Sequence, residues 1–295
     1  MRFSQIARAF IALAISVATP GAQTGKKVYI SVDMEGISGI VGDDQVSAGA
    51  SEYGRSRKLM AEDVNAAIRG AIAGGATEIV VNDSHGGQRN ILPEDLDASA
   101  RLISHSFKRY GMMEGLDGTF DAVLFIGYHA KADTPGGLFA HTGSGVVRDL
   151  QIDGRSVGEG GMNTLLADWY GVPVVLVTGD DVAVAQVREV ANAGRGVVVK
   201  RAINVSAAEL MPLREARKEI EASARMAVAE AKKFTPKRTS SVRVRMRYRN
   251  FTFPEIAEAF PTIKRVEPDA IEFSAGTMPE AYRMIRVLYR FINPD

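Results

Sequence analysis

The sequence contains no cysteine among its 295 residues. It therefore has no disulfide bonds, no thiolate metal ligands and no cysteine nucleophile, and its stability must come from a packed core. The charges are nearly balanced, because 36 basic residues face 35 acidic ones for a formal net charge of +1. No overall field therefore recruits nucleic acid or an anionic membrane. With 46% hydrophobic and 24% charged residues, the composition is that of an ordinary globular protein.

A short apolar segment lies near the N-terminus, from Phe10 to Ala18. Arg2 and Arg8 precede it and small residues follow it, which is the order typical of a secretory signal peptide. The segment is too short to span a bilayer comfortably. We therefore expect residues 1–22 to be a cleaved signal peptide, and the mature protein to be periplasmic or secreted with no stable membrane insertion. Retention of the segment as an anchor is the alternative.

After about residue 26, strand-like and helix-like segments alternate. This pattern predicts an α/β fold with a mostly parallel sheet and helices on both faces. Continuous apolar runs typical of buried parallel strands occur at Lys27–Met34, Thr77–Asn82, Asp121–Gly127 and Pro173–Thr178. Amphipathic periodicity predicts helices near Glu52–Ala73 and Gly160–Tyr170. The Asp153-Gly154 pair between two short extended stretches indicates a hairpin.

The last third of the chain has a different pattern. A long helix is predicted near Ala207–Lys233, followed by an alternating strand at Val242–Tyr248 and a helix near Pro279–Phe291. We therefore expect a metal-binding α/β domain over residues 27–200 and a smaller C-terminal α+β domain over residues 201–295.

Three arginines alternate along the strand VRVRMRY. Arg243, Arg245 and Arg247 lie on one face, which would suit nucleic acid but is more simply a solvated or edge-protecting face. No aromatic residues that could stack on bases accompany them, so we expect no nucleic-acid partner.

Acids and histidines follow the predicted buried strands at their carboxyl ends. Asp33 and Glu35 are separated by one residue, so on an extended backbone their carboxylates share one face. Because the carboxyl ends of parallel strands line the crevice where ligands bind, we expect these polar residues to converge. The residues at the four strand ends are Asp33, Glu35, Asp83, Ser84, His85, His129, Asp180 and Asp181.

This set of side chains indicates a metal site. Imidazole and carboxylate ligands without thiolate suit zinc, manganese, cobalt or iron(II). Five candidate ligands are too many for one tetrahedral ion, and suit two ions about 3.5 to 4 Å apart bridged by a carboxylate. The candidates are Asp33, Glu35, His85, His129 and Glu159.

Simpler interpretations exist for some of these residues. Glu159 could be a first-turn glutamate that complements a helix dipole. Asp180 and Asp181 are most simply caps at the start of the following helix. A single histidine after a strand is most often a loop residue. The conjunction favours a metal, because two of only four histidines and an acid pair lie at the ends of buried strands.

Several separated segments resemble, in order, those of the D-aminopeptidase family of binuclear zinc peptidases. They are SVDMEGISGI, VNDSHGG, MMEGLD, FIGYHAKADTPG, VGEGGMN, YGVPVVLVTGDD and VVVKRAIN. The likeness runs from about residue 27 to the C-terminus and is densest to about residue 205.

The resemblance implies a role for each candidate residue. Asp33 would bridge two zinc ions per subunit, and Glu35, His85, His129 and Glu159 would complete the ligand set. His141, in FAHTG, would be the catalytic histidine. His105, in LISHSF, matches no family motif and is interpreted as structural.

The resemblance also implies an activity. We expect an exported binuclear zinc aminopeptidase that hydrolyses the N-terminal residue of short peptides or aminoacyl amides, with the D-amino-acid-containing substrates that the family resemblance implies. The family's ring-like decamer implies a homo-oligomer. Two alternatives stay open: a binuclear metal hydrolase of another amide or ester bond, and a non-catalytic periplasmic binding protein.

Overall fold

The computed structural model describes residues 25–191, 194–236 and 238–290, so the expected signal peptide lies outside the described residues. The strands are β1 Lys26–Val32, β2 Ala76–Asp83, β3 Ala100–Ile103, β4 Ala122–Tyr128, β5 Val147–Ile152, β6 Arg155–Ser156, β7 Val174–Asp180, β8 Arg195–Asn204, β9 Ala207–Leu210, β10 Val242–Tyr248, β11 Lys264–Glu267 and β12 Ala270–Ala275. The helices are α1 Asp43–Val46, α2 Tyr53–Ala73, α3 Glu159–Tyr170, α4 Asp181–Ala191, α5 Leu213–Glu230, α6 Thr252–Ala257 and α7 Met278–Arg290. Short 3-10 turns lie at Pro93–Asp95 and Gly111–Met113.

The predicted α/β class is confirmed by a seven-stranded sheet in the order β3-β2-β1-β4-β7-β8-β9. All neighbours in it are parallel except β8 and β9. Side chains alternate along the central strand β1, so that Val28 and Ile30 join one core with α2 and α5, while Tyr29 joins another with α3 and α7. Helices therefore cover both faces. No helix in the described part of the chain is long and apolar enough to cross a bilayer.

A second, antiparallel sheet has the order β11-β12-β10-β5-β6. The predicted hairpin at Asp153-Gly154 joins β5 to β6. Strand β10 pairs with β12 on one side and β5 on the other, so its arginines do not protect an edge, although Arg243 is exposed as expected for a solvated face. Arg245 and Arg247 both form ion pairs with Glu267 on the outer face instead.

The C-terminal helix prediction needs a correction at its start. The segment Ala207–Leu210 is strand β9, and α5 begins at Leu213 because Pro212 occupies the N-cap position and disfavours helical backbone at the residue before it. Residue 200 lies inside β8, and the second sheet takes β5 and β6 from the preceding part of the chain. The division into two domains near that residue stays a prediction.

Two glycines let the loops that follow β1 and β4 touch. The backbone N–H of Gly36 donates to the carbonyl of Gly127 at 2.8 Å, and a Cβ on Gly36 would lie 2.0 Å from the carbonyl oxygen of Tyr128. Gly127 itself has a φ of +75° and sits where a Cβ would lie 2.3 Å from the carbonyl oxygen of Asp33. This close approach brings the acids that follow β1 against the histidine that follows β4.

Replacing Gly127 by alanine is expected to lower the free energy of unfolding by about 2 kcal/mol or more. The left-handed φ alone costs a residue with a Cβ about 1 to 2 kcal/mol, and the added carbon would also meet the backbone of Asp33. Denaturant unfolding measures the loss. Gly49→Ala is the control, because its φ of +91° carries the same strain with nothing within 4 Å. If both variants lost the same free energy of unfolding, the contact between the loops after β1 and β4 would not be what excludes a side chain at Gly127.

Candidate metal centre

The five predicted ligands converge at the carboxyl end of the parallel sheet. Asp33 is the first residue after β1 and Glu35 follows two positions later, while His85 lies two residues beyond the end of β2. His129 directly follows β4, and Glu159 is the first residue of α3. Four of the five are buried and His85 is half-buried. The sheet topology thus brings together residues that are up to 126 positions apart.

Asp33 lies between two groups of possible ligands. Its Oδ1 is 3.4 Å from Nδ1 of His85, and that nitrogen is also 2.9 Å from Oε2 of Glu35. Its Oδ2 is 3.4 Å from Nε2 of His129, which in turn lies 3.2 Å from Oε2 of Glu159. In each group of three residues the possible ligand atoms lie within 4.8 Å of one another. Asp33 is the member that both groups share.

Backbone carbonyls fix the orientation of both histidines. Nε2 of His85 lies 2.9 Å from the carbonyl of Val46, and Nδ1 of His129 lies 2.9 Å from the carbonyl of Ala130. A carbonyl oxygen can only accept, so these nitrogens carry the protons. The neutral form of each ring therefore presents the lone pair of its other nitrogen to the carboxylates, which is the arrangement that metal-binding histidines adopt.

The electrostatics of the cluster favour an added cation. Burial, followed by the charge of Glu35, raises the pKa of Asp33 to about 7. Burial opposes the charged form of His129, but the carboxylate of Glu159 outweighs it and raises the pKa of that imidazole to about 10. Oδ2 of Asp33 is buried without a hydrogen-bond partner. An orphaned carboxylate oxygen among lone-pair donors fits a metal ion of the zinc class.

His141 lies against this cluster. Its Nδ1 donates to the carbonyl of Phe139 at 2.8 Å, and its Nε2 lies 3.5 Å from Oε1 of Glu159. The ring stacks on that of His129 with centroids 4.0 Å apart. His141 could also form a third possible ligand group with Glu35 and His129. Burial, followed by the charge of His129, lowers the pKa of His141, which favours the neutral imidazole.

The chain was compared with protein families, curated proteins and solved structures. A family model described as D-aminopeptidase matches residues 26–287. The chain belongs to the D-aminopeptidase family. It is 37% identical over 264 residues to a D-aminopeptidase from Bacillus subtilis (strain 168), covering 89% of this chain and 96% of that protein. It also superimposes with a TM-score of 0.86 on the Zn-dependent D-aminopeptidase DppA from Bacillus subtilis, described as a self-compartmentalizing protease, at 35% identity over 91% of this chain and 99% of that one.

Other polar residues at the strand ends have structural contacts in this D-aminopeptidase family member. Oδ1 of Asp180 accepts the backbone N–H groups of Val182 and Ala183 at 2.9 and 3.0 Å, which confirms the capping interpretation for Asp180. For Asp181 that interpretation is wrong, because Asp181 is the first residue of α4 and its Oδ1 accepts the backbone N–H of Ala202 at 3.1 Å. Asp83 accepts the backbone N–H groups of Asn90 and Ile91 and so holds the loop that carries His85.

His105 lies outside the cluster. Its Nδ1 contacts the Ser104 hydroxyl at 2.9 Å, and its backbone adopts a φ of +74°. The structure thus separates this histidine from the other three of the chain.

Two buried lysines fix the loops that carry the acids and His85. Nζ of Lys200 donates to the carbonyls of Glu35, Ile37 and Ile40 at 2.5, 3.1 and 2.6 Å. Nζ of Lys108 donates to the Asn82 side chain and the Asp83 carbonyl at 2.6 and 2.5 Å. Burial lowers the pKa of each lysine to about 8. Sequence reasoning assigned neither lysine a role, although VVVKRAIN contributes to the family likeness.

A cavity of about 580 Å³ opens over the cluster. It is lined by four predicted ligands and His141, and also by residues near the C-terminal end of α7 that sequence reasoning missed. These are Arg286, Tyr289 and Arg290. The only sequence signal for them was the amphipathic pattern of the helix, which predicts a buried face but not what that face contacts.

Proposed function

We propose that the protein is an exported, zinc-dependent aminopeptidase that releases the N-terminal residue of short peptides, with a preference for D-residues. The observation that carries the proposal is the position of Asp33, which belongs to both groups of possible ligands. The names of the two Bacillus subtilis relatives supply the zinc dependence and the preference for D-residues.

The ligand set of this proposal contains three carboxylates and two imidazoles. Asp33 would bridge two ions, with Glu35 and His85 on one side and His129 and Glu159 on the other. The chemistry that such a pair supplies is activation of water near neutral pH and polarisation of the scissile carbonyl. The protein's own contribution is to hold both imidazoles with their unprotonated nitrogens toward the carboxylates.

We assign proton transfer to His141. Its Nδ1–H is held by the carbonyl of Phe139, so the neutral ring offers Nε2 to the cavity as an acceptor. From that position it can take a proton from the attacking water and return it to the leaving amine. Stacking on His129 and the contact with Glu159 fix the plane of the ring. Positioned acid–base groups of this kind typically contribute about 100- to 10,000-fold to the rate.

The cavity suits short peptides. A sphere of its volume is about 10 Å across, which about three extended residues would span at roughly 3.3 to 3.6 Å each. Assembly of subunits into a ring around such cavities would restrict access further, and the description of DppA as self-compartmentalizing supports a homo-oligomer here.

The first prediction of this proposal concerns metal content. Protein loaded with zinc and freed of excess ion should contain about two ions per chain, and Asp33→Ala should lose both because one side chain serves both groups. Elemental analysis of folded protein measures the ratio. Asp180→Ala is the control, since Asp180 caps α4 and should keep both ions. A single ion per wild-type chain would contradict the binuclear assignment.

The second prediction separates chemistry from metal binding. Zinc-loaded protein should cleave D-alanyl dipeptides faster than their L-alanyl counterparts, and His141→Ala should lower that turnover by roughly two to four orders of magnitude while keeping its metal. His85→Ala should lose metal together with activity.

Two outcomes would overturn the role of His141. One is a fully active His141→Ala protein, and the other is an inactive variant that has also lost its metal. Wild-type protein that is loaded with zinc but cleaves neither dipeptide would overturn the aminopeptidase proposal itself.

The third prediction concerns export. The basic residues Arg2 and Arg8, the short apolar run and the small residues after it support cleavage, so mature protein from the native host should begin between about residues 19 and 27. N-terminal sequencing of that protein tests this. Intact Met1 on membrane-bound protein would show instead that the segment is an anchor.

A further inference from the structure

The cavity over the metal centre contains a buried guanidinium with no counter-ion. Arg286 is only 4% exposed, and its Nη1 donates to the carbonyl of Lys108. Its Nε has no hydrogen-bond partner, and no carboxylate among the described residues forms an ion pair with it. Two further neighbours are uncharged: the Phe107 ring, whose centroid lies 6.0 Å from Cζ, and the Tyr289 side chain. A buried charge without a counter-ion is costly, so its position beside the cavity points to an anion supplied by the ligand.

Two glycines provide the space for this end of α7. Gly111 has a φ of +47°, and a Cβ there would lie 2.4 Å from Cζ of Arg286. Gly143 has a φ of +72°, and a Cβ there would lie 2.6 Å from the ring of Tyr289. At both positions a residue other than glycine would therefore require the neighbouring side chain of α7 to move. The backbone N–H of Gly143 also donates to Oε1 of Glu159 at 2.5 Å, so the glycine that packs against Tyr289 is hydrogen-bonded to a predicted metal ligand.

Tyr289 lies within electrostatic reach of both Arg286 and the metal centre. Burial raises the pKa of its hydroxyl to about 12, against the charge of Arg286 and with that of Glu159. The hydroxyl therefore stays a neutral hydrogen-bond donor at physiological pH.

A second guanidinium lies one helical turn further along the same face. Arg290 is exposed, lines the cavity, and donates from Nη2 to the carbonyl of Gly86 at 3.2 Å. Gly86 directly follows His85, so the helix end reaches the loop that carries a predicted ligand. The cavity consequently has acids and imidazoles on the sheet loops and two arginines on α7.

We propose that Arg286, assisted by Arg290, binds the C-terminal carboxylate of a short peptide whose scissile bond lies at the metal centre. This inference rests on the proposed function and narrows its substrate class to peptides with a free C-terminus. A planar guanidinium matches a carboxylate by forming paired charge-assisted hydrogen bonds. A cavity of about 580 Å³ has the volume of a sphere about 10 Å across, which about two or three extended residues would span.

The test compares a dipeptide with its amide, which differ only at the carboxylate. Zinc-loaded wild-type protein should have a kcat/KM for D-alanyl-glycine about 10- to 100-fold above that for D-alanyl-glycinamide, the usual effect of one charge-assisted contact. In Arg286→Met the ratio of the two kcat/KM values should fall to about one. In Arg286→Lys it should be intermediate, because lysine keeps the positive charge but lacks the paired N–H donors of the guanidinium. A purely structural role would lower both values together and leave their ratio unchanged.

Arg283→Met is the matched control, because Arg283 is an exposed arginine of α7 that does not line the cavity. It should keep the wild-type ratio. If Arg286→Met does not fold, Arg286→Lys and Arg290→Met still report the ratio, since Arg290 is exposed and its removal should reduce the preference by a smaller factor.

A binding measurement makes the inference independent of turnover. The reduced-bond analogue of D-alanyl-glycine should bind wild-type protein more tightly than its C-terminal amide, with the difference lost in Arg286→Met, as measured by calorimetry. Equal turnover or equal binding of acid and amide would overturn the carboxylate site while leaving the aminopeptidase proposal standing. Absence of all hydrolysis would defeat the aminopeptidase proposal, and the binding comparison would then still decide whether Arg286 holds a carboxylate.

Discussion

Three carboxylates share one buried site, and much of the structure follows from accommodating them. Asp33, Glu35 and Glu159 are each less than a tenth exposed; Asp33 contacts both His85 and His129, whereas Glu35 contacts His85 and Glu159 contacts His129. Burial opposes ionisation of these acids and the like charge of Glu35 adds to that opposition, so the pKa of Asp33 rises. Protonated histidines can balance the charge only in part. Divalent cations balance it fully, so metal binding and folding are expected to be thermodynamically linked.

The backbone around the site is built to hold these acids in place. Gly36 and Gly127 allow the loops after β1 and β4 to approach more closely than any side chain would permit. The ammonium group of Lys200 donates hydrogen bonds to three backbone carbonyls of the loop that follows β1, and that of Lys108 donates to the carbonyl of Asp83 at the end of β2. Buried lysines usually lose their charge unless they have compensating acceptors. Here the carbonyl oxygens stabilise the ammonium groups, and the same hydrogen bonds restrain the loops.

Much of the site could be predicted because it obeys a topological rule. Parallel strands present their carboxyl ends at one edge, so acids and histidines after apolar runs converge even when they are far apart in sequence. His141 did not follow from that rule, since it lies in a loop beyond a strand end, and only the family likeness singled it out. The edge position expected for the arginines of β10 was wrong because strand order cannot be read from an alternating pattern: β10 lies inside the sheet, and Arg245 and Arg247 pair across β12 with Glu267 of β11.

The contribution of α7 was beyond sequence reasoning for a different reason. Its amphipathic pattern predicts burial, but which part of the protein it packs against depends on the second sheet, where β10 and β12 contact it. A buried chain of hydrogen bonds then connects the helix to the metal edge through five polar side chains. The chain runs through Tyr282, Asn163, Tyr128, Ser31 and Ser84 with distances of 2.6, 2.8, 2.7 and 2.9 Å.

Every side chain of that hydrogen-bond chain is buried, so breaking one link would leave an unsatisfied polar group in the core. The position of α7 relative to the sheet is therefore fixed by polar contacts that tolerate little displacement, and not by apolar packing alone. A substrate bound between Arg286 and the carboxylates would contact both α7 and the loops of the parallel sheet, and this network sets the distance between them. On that basis the hydrogen-bond network, which joins α7 through α3 to the parallel sheet, would hold the Arg286 end of the substrate at a constant distance from the metal centre.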